Sequence, residues 1–216
     1  MVDSVSLGLG NVPAFPTFQR LLRSDGDQLL AKFKDRAQVQ KEIQYFQDKA
    51  PKLKSVDDFF KDKRLMRFVL SAFSLDDEIN YPGRLKKVLE SKVADSNSLA
   101  NRLRDPRYGE MARTMLFGDL GVINFSSPTF MNNLVDRYVT SEYEKDLGNQ
   151  NPALREAAYF LRKIGGVNSS LDILGDSVLR KVVTETLDLP QEIALQSIQR
   201  QRLLIARALA TRPRIL

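Results

Sequence analysis

Along most of the chain apolar residues return every three or four positions, the spacing that puts them on one face of an α-helix. Leu65 and Val69 share such a face, as do Leu179 and Val183. The pattern and its punctuation predict helices over residues 17–23, 27–48, 56–61, 63–74, 82–91, 98–104, 106–117, 128–146, 152–164, 170–174, 177–187 and 191–210. Three starts pair a capping side chain with proline in the first helical position: Asp105-Pro106, Ser127-Pro128 and Asn151-Pro152. Proline fits there because its missing N–H would have had no partner within the helix. Alternating, strand-like stretches are nearly absent. Gly121-Val122-Ile123-Asn124-Phe125 comes nearest, but it is short and opens with glycine, so it is expected to be a loop. The expected fold is all-α: a multi-helix bundle over residues 16–216, preceded by a flexible arm, residues 1–15, that holds Gly8, Gly10 and Pro13.

The pattern also repeats. Shifting residues 42–79 by 114 positions onto 156–193 gives a gapless match with 12 identities in 38. Among the pairs are Glu42/Glu156, Tyr45/Tyr159, Phe46/Phe160, Ser55/Ser169, Asp58/Asp172, Asp62/Asp176, Leu65/Leu179 and Val69/Val183. Ser55 with Asp58, and Ser169 with Asp172, have the spacing of a capping box, in which serine accepts from an early N–H and the carboxylate reaches back. Asp62 and Asp176 stand where they would cap the next helix and favour its positive end. Two copies are too few for a stacked array, so the expectation is an internally duplicated helical unit. What recurs is helix starts and apolar faces, not a set of reactive groups.

Composition narrows the chemistry. The chain has no cysteine and no histidine, which removes disulfides, thiolate sites, histidine-held metals and a Ser-His-Asp triad together. No cofactor and no metal are expected. No apolar run is long enough for a transmembrane helix. The first residues, Met1-Val2-Asp3-Ser4-Val5-Ser6-Leu7, carry an acid where a secretory signal needs positive charge. The net charge of +6 is concentrated at one end. No acid follows Glu192, while Arg200, Arg202, Arg207, Arg212 and Arg214 do; the rest of the chain holds 28 bases against 27 acids.

Four segments invite a functional reading. Asp76-Asp77-Glu78 is the densest acidic cluster, yet it lacks the alternating ligand spacing of a calcium loop, and a surface helix-start cluster is expected. Asp57-Asp58 reads as a helix cap. Gly165-Gly166-Val167-Asn168-Ser169-Ser170 lacks the lysine of a phosphate loop and follows a helix, so it reads as a glycine helix stop. The five arginines of the tail are the candidate partner-binding residues. A basic amphipathic helix there could hold an acidic partner, a membrane surface or nucleic acid. The plainer reading is a terminal helix docked by Ile198, Ile205 and Leu209 with its arginines in water, and without interleaved aromatics nucleic acid is disfavoured. Residues 199–209 and 212–216 also resemble the helix and strand before the Walker B motif of ABC transporter ATPases. Gln196-Ser197-Ile198 replaces the Ser-Gly-Gly signature there and the sequence has no Walker A motif, so ATP chemistry is not expected.

Several further segments carry a likeness that spans residues 10 to 195. They are Pro13–Arg20, Ser55–Asp58 with Lys61–Leu65, Leu99–Leu103 with Asp105–Tyr108, Asn151–Phe160 and Ile173–Asp176. In these the chain resembles an alphaproteobacterial family known as domain of unknown function twelve-seventeen. The resemblance implies an all-helical protein without established catalytic residues, whose genes often lie among flagellar genes. The tail after Gln196 departs from the pattern expected of that family. Together these readings predict a non-enzymatic helical interaction protein, a flagellar structural or assembly accessory whose partners are other proteins. It would act in the cytoplasm, or in the flagellum if exported by the flagellar system. The alternative is a binder of anionic surfaces or nucleic acid through the basic C-terminal helix.

Overall fold

The computed structural model describes residues 25–186 and, beyond them, 189, 196, 197, 199, 200, 203 and 204. The expected arm 1–15, the helix at 17–23 and most of the helix at 191–210 lie outside the described residues. Within them every regular element is helical: α1 Asp25–Lys34, α2 Ala37–Lys49, α3 Val56–Lys61, α4 Lys63–Ala72, α5 Pro82–Leu89, α6 Leu99–Arg102, α7 Pro106–Met115, α8 Phe117–Leu120, α9 Pro128–Gln150, α10 Pro152–Ile164, α11 Ser170–Gly175 and α12 Ser177–Thr186. Short 3₁₀ turns occupy Ala50–Lys52, Asp76–Asn80 and Ile123–Ser126. The last of these overlaps the segment that most resembled a strand.

The predicted starts are made by the side chains that announced them. Asp105 accepts from the Arg107 N–H at 3.0 Å, Ser127 from Phe130 at 3.4 Å and Asn151 from Ala153 at 3.0 Å, each with proline at the first helical position. A cap of this kind contributes about 1 kcal/mol. Several boundaries differ from expectation, two of them by a break in the chain's course. The single helix predicted over 27–48 is two, because Arg36 takes an extended conformation (φ −62°, ψ 135°) between α1 and α2. The cause is the apolar phase. Phe33 and Val39 are six positions apart and would point in different directions on one straight helix; the break lets both be buried. Gln40 then donates to the Lys34 carbonyl at 2.8 Å, satisfying a group that the break exposes. The helix predicted over 106–117 stops at Met115, where Leu116 turns left-handed (φ 53°) and α8 begins.

The chain divides into two compact units, Met1–Arg155 and Glu156–Leu216. In the first, α4 packs along the long helix α9 over a continuous aromatic core. Phe68 stacks on Phe46 at 4.2 Å and on Tyr138 at 4.0 Å between ring centroids, and Phe125 meets Phe46, Phe59 and Phe117. Such pairs add about 0.5–1.5 kcal/mol each beyond their buried area. In the second unit, α11 and α12 pack together, with Leu174 buried against Leu189 and Leu204.

The 114-residue offset reappears in three dimensions as a set of bonds. Ser55 accepts from the Asp58 N–H at 3.1 Å and Ser169 from Asp172 at 3.4 Å, and in the second case the Asp172 carboxylate also accepts from the Ser169 N–H, closing the box. Asp62 accepts from the N–H groups of Arg64 and Leu65, and Asp176 from those of Val178 and Leu179. The Tyr45 hydroxyl donates to Asp62 at 2.8 Å, and the Tyr159 hydroxyl to Asp176 at 2.5 Å. Each capping aspartate is therefore held by a tyrosine from the helix two elements before it. Helices α3 and α11, like α4 and α12, begin and end at equivalent positions.

Candidate functional site

On α4 the polar residues Arg64, Arg67 and Ser71 fall at intervals of three and four, so they form one stripe. That stripe borders a cleft of about 450 Å³ in the first unit. Phe33, Val39, Phe68 and Tyr138 give it an apolar floor; Arg36, Gln38, Glu42, Asp76 and Glu142 complete the polar rim. The size is within the range of small-molecule sites.

Most charges around the cleft are matched. Arg64 makes a two-pronged contact with Glu42 at 2.9 and 3.1 Å while its guanidinium lies 3.9 Å from the Tyr45 ring centre. Hydrogen bonding to Glu42 raises the arginine's already high pKa. Arg36 pairs with Asp146 at 2.8 Å and lies over Phe33. The Arg67 side chain is exposed, with no hydrogen bond or ion pair to it among the described residues.

Deeper in, Ser71 is buried and its hydroxyl donates to Glu142 at 2.5 Å. Lys145 donates to Ser71 at 2.8 Å and to Asp76 and Glu142 at 2.6 Å each. A serine beside a lysine invites comparison with a nucleophile and its base. Here the Ser71 hydroxyl donates to Glu142 and not to Lys145, whose side-chain nitrogen is the donor to three acceptors. The arrangement instead ties α4 and the Asp76–Asn80 turn to α9. Burial pushes the neighbouring Tyr138 hydroxyl's pKa well above its usual value.

The acidic cluster is not the surface feature expected. Glu78 is buried and held by both arms of Arg84 at 2.6–2.9 Å, while Asp76 belongs to the lysine cluster. Burial and a hydrogen bond to Glu78 push Tyr108 up to about 12. Asp57 pairs with Lys86 at 2.5 Å, which lowers its pKa, and Asp58 lies in the first turn of α3, its pKa lowered by bonding to Ser55 and Lys61. Gly165 and Gly166 form the turn that ends α10, as the glycine-stop reading required. No group of three or more acids that could hold a metal ion occurs among the described residues.

Of the five tail arginines, Arg200 is described: it is exposed, and its backbone N–H meets Ser197 Oγ at 3.4 Å. Arg202, Arg207, Arg212 and Arg214 lie outside the described residues. The cleft escaped the sequence because its residues come from α1, α2, α4 and α9, from the link between α1 and α2 and from the Asp76–Asn80 turn. The visible hint was the polar stripe at Arg64, Arg67 and Ser71.

The family model described as "Protein of unknown function (DUF1217)" matches residues 72–212. The match continues past Gln196, so most of the tail expected to depart from that pattern lies within it. Among solved structures, the crystal structure of a protein from Agrobacterium tumefaciens is 30% identical, covering 90% of this chain and 82% of its own, with a TM-score of 0.79. Comparison with curated proteins found no match.

Proposed function

The chain belongs to the DUF1217 family of proteins of unknown function, and from that premise we propose that it is a non-enzymatic helical interaction protein serving flagellar structure or assembly. One observation carries the scaffold part of this reading. The residues at the likeness to the family are spent on building helices and joining them. Asp105 caps α7, Arg107 bonds the Ser74 carbonyl at 2.6 Å where the chain turns left-handed, and Tyr108 is buried in the core. Asp62 and Asp176 are caps, each clasped by a tyrosine. The recurrence of these bonds 114 residues apart supports descent from one duplicated helical unit.

The flagellar part rests on the resemblance alone. No helix among the described residues is long and apolar enough to cross a membrane, so attachment to the flagellum would run through protein contacts. Tagging the protein at its chromosomal locus and isolating hook–basal bodies and export-apparatus fractions tests this. The protein is expected to co-purify with one of them; uniform recovery in the soluble fraction, with no enrichment after cross-linking, would contradict it.

A further inference from the structure

We propose that the cleft beside α4 binds an organic carboxylate carried on an apolar body, with Arg67 as its recognition residue. The two 114-related helices supply an internal comparison. In α12 the position equivalent to Arg67 is Lys181, and it is engaged: Lys181 bonds Glu156, the counterpart of Glu42, and approaches Glu185 at 4.0 Å. Hydrogen bonding to Glu156 also raises its pKa. In α4 the same glutamate position is taken by Arg64, whose counterpart Val178 has no charge. Arg67 is thereby released from the partner its counterpart keeps, and it is the residue released at the mouth of a cleft.

The surroundings match a particular ligand. The cleft's carboxylates each have an internal cation, Glu42 with Arg64 and both Asp76 and Glu142 with Lys145. The group left without a counterion among the described residues is a guanidinium, whose planar fork suits a carboxylate in two-pronged contact. Phe68, the next residue on α4, stacks on Tyr138 of α9, and both rings line the same cleft. A bare inorganic anion would leave that floor unused, and a neutral apolar molecule would leave Arg67 unmatched.

Titration by NMR with 4-phenylbutyrate, and in parallel with its uncharged amide, tests the proposal. The acid is expected to bind saturably, shifting the Arg67 side-chain N–H and the Phe68 and Tyr138 ring signals, and the amide to bind about tenfold more weakly. Arg67→Ala and Arg67→Gln should each weaken the acid by about tenfold and leave the amide unchanged. Because Arg67 is exposed, both variants should melt as the wild type does, and Lys181→Ala should bind the acid normally. Equal binding of acid and amide, no saturation by the acid, or unchanged acid binding by the Arg67 variants would each overturn the proposal.

Discussion

The tyrosine clasp shows how one hydroxyl can serve a helix it does not belong to. Asp176 is buried and already accepts two backbone N–H groups, so the Tyr159 hydroxyl completes its hydrogen bonding out of water. Tyr159→Phe should therefore cost about 1–2 kcal/mol in urea unfolding, and Tyr45→Phe less, since Tyr45 and Asp62 are only partly buried. Equal losses at the two sites would contradict this account. Glu78 gives a sharper case: Arg84→Ala leaves a buried carboxylate without its cation and should cost about 1–3 kcal/mol, with Glu78→Gln in the same background restoring part of the loss. Tyrosine also sets an alkaline limit. Tyr108 is raised to about 12 from an ordinary value near 10, with Tyr138 raised in the same direction. A group raised in the folded state contributes stability that is complete below pH 10 and is lost as pH climbs from 10 through the folded value. Ultraviolet titration should then show Tyr108 and Tyr138 ionising above the ordinary tyrosine range, together with loss of the fold. A single transition near pH 10 with the fold intact would contradict the assignment.

At the scale of elements, starts were more legible than stops. Proline and capping residues mark α7, α9 and α10 in the sequence because their effect is local. The α1–α2 break is set by which residues reach the core, and it shows only as the six-residue gap between Phe33 and Val39. The cleft was hidden for a related reason: a polar stripe on α4 reads as ordinary solvated surface until α9 supplies Tyr138, Glu142 and Lys145. The acidic cluster misled in the same way, since the arginine that buries Glu78 stands six residues on. Close packing makes a further demand at α8. A Cβ on Gly118 would come within 2.4 Å of the Glu90 carbonyl oxygen, a backbone atom that cannot swing aside. Gly118→Ala should destabilise by about 1–3 kcal/mol, as overpacking does, whereas Gly83→Ala, with open space around it, should change little. A neutral Gly118→Ala would mean that Gly118 does not lie against the Glu90 backbone.

For the molecule as a whole, charge and chemistry point in one direction. A nearly neutral body with an arginine-rich tail could be an anion binder, but the plainer reading gives the tail no such task. Removing residues 197–216 should leave salt-dependent DNA binding unchanged, and a marked loss would favour the alternative. The central proposal is that the chain serves flagellar structure or assembly. Its most direct test is to delete the gene and count filaments by electron microscopy while tracking swimming, with the wild-type gene restored in trans as control. The account predicts few or malformed filaments and impaired swimming, both recovered on complementation. Normal filament number and normal swimming in the deletion strain would contradict it.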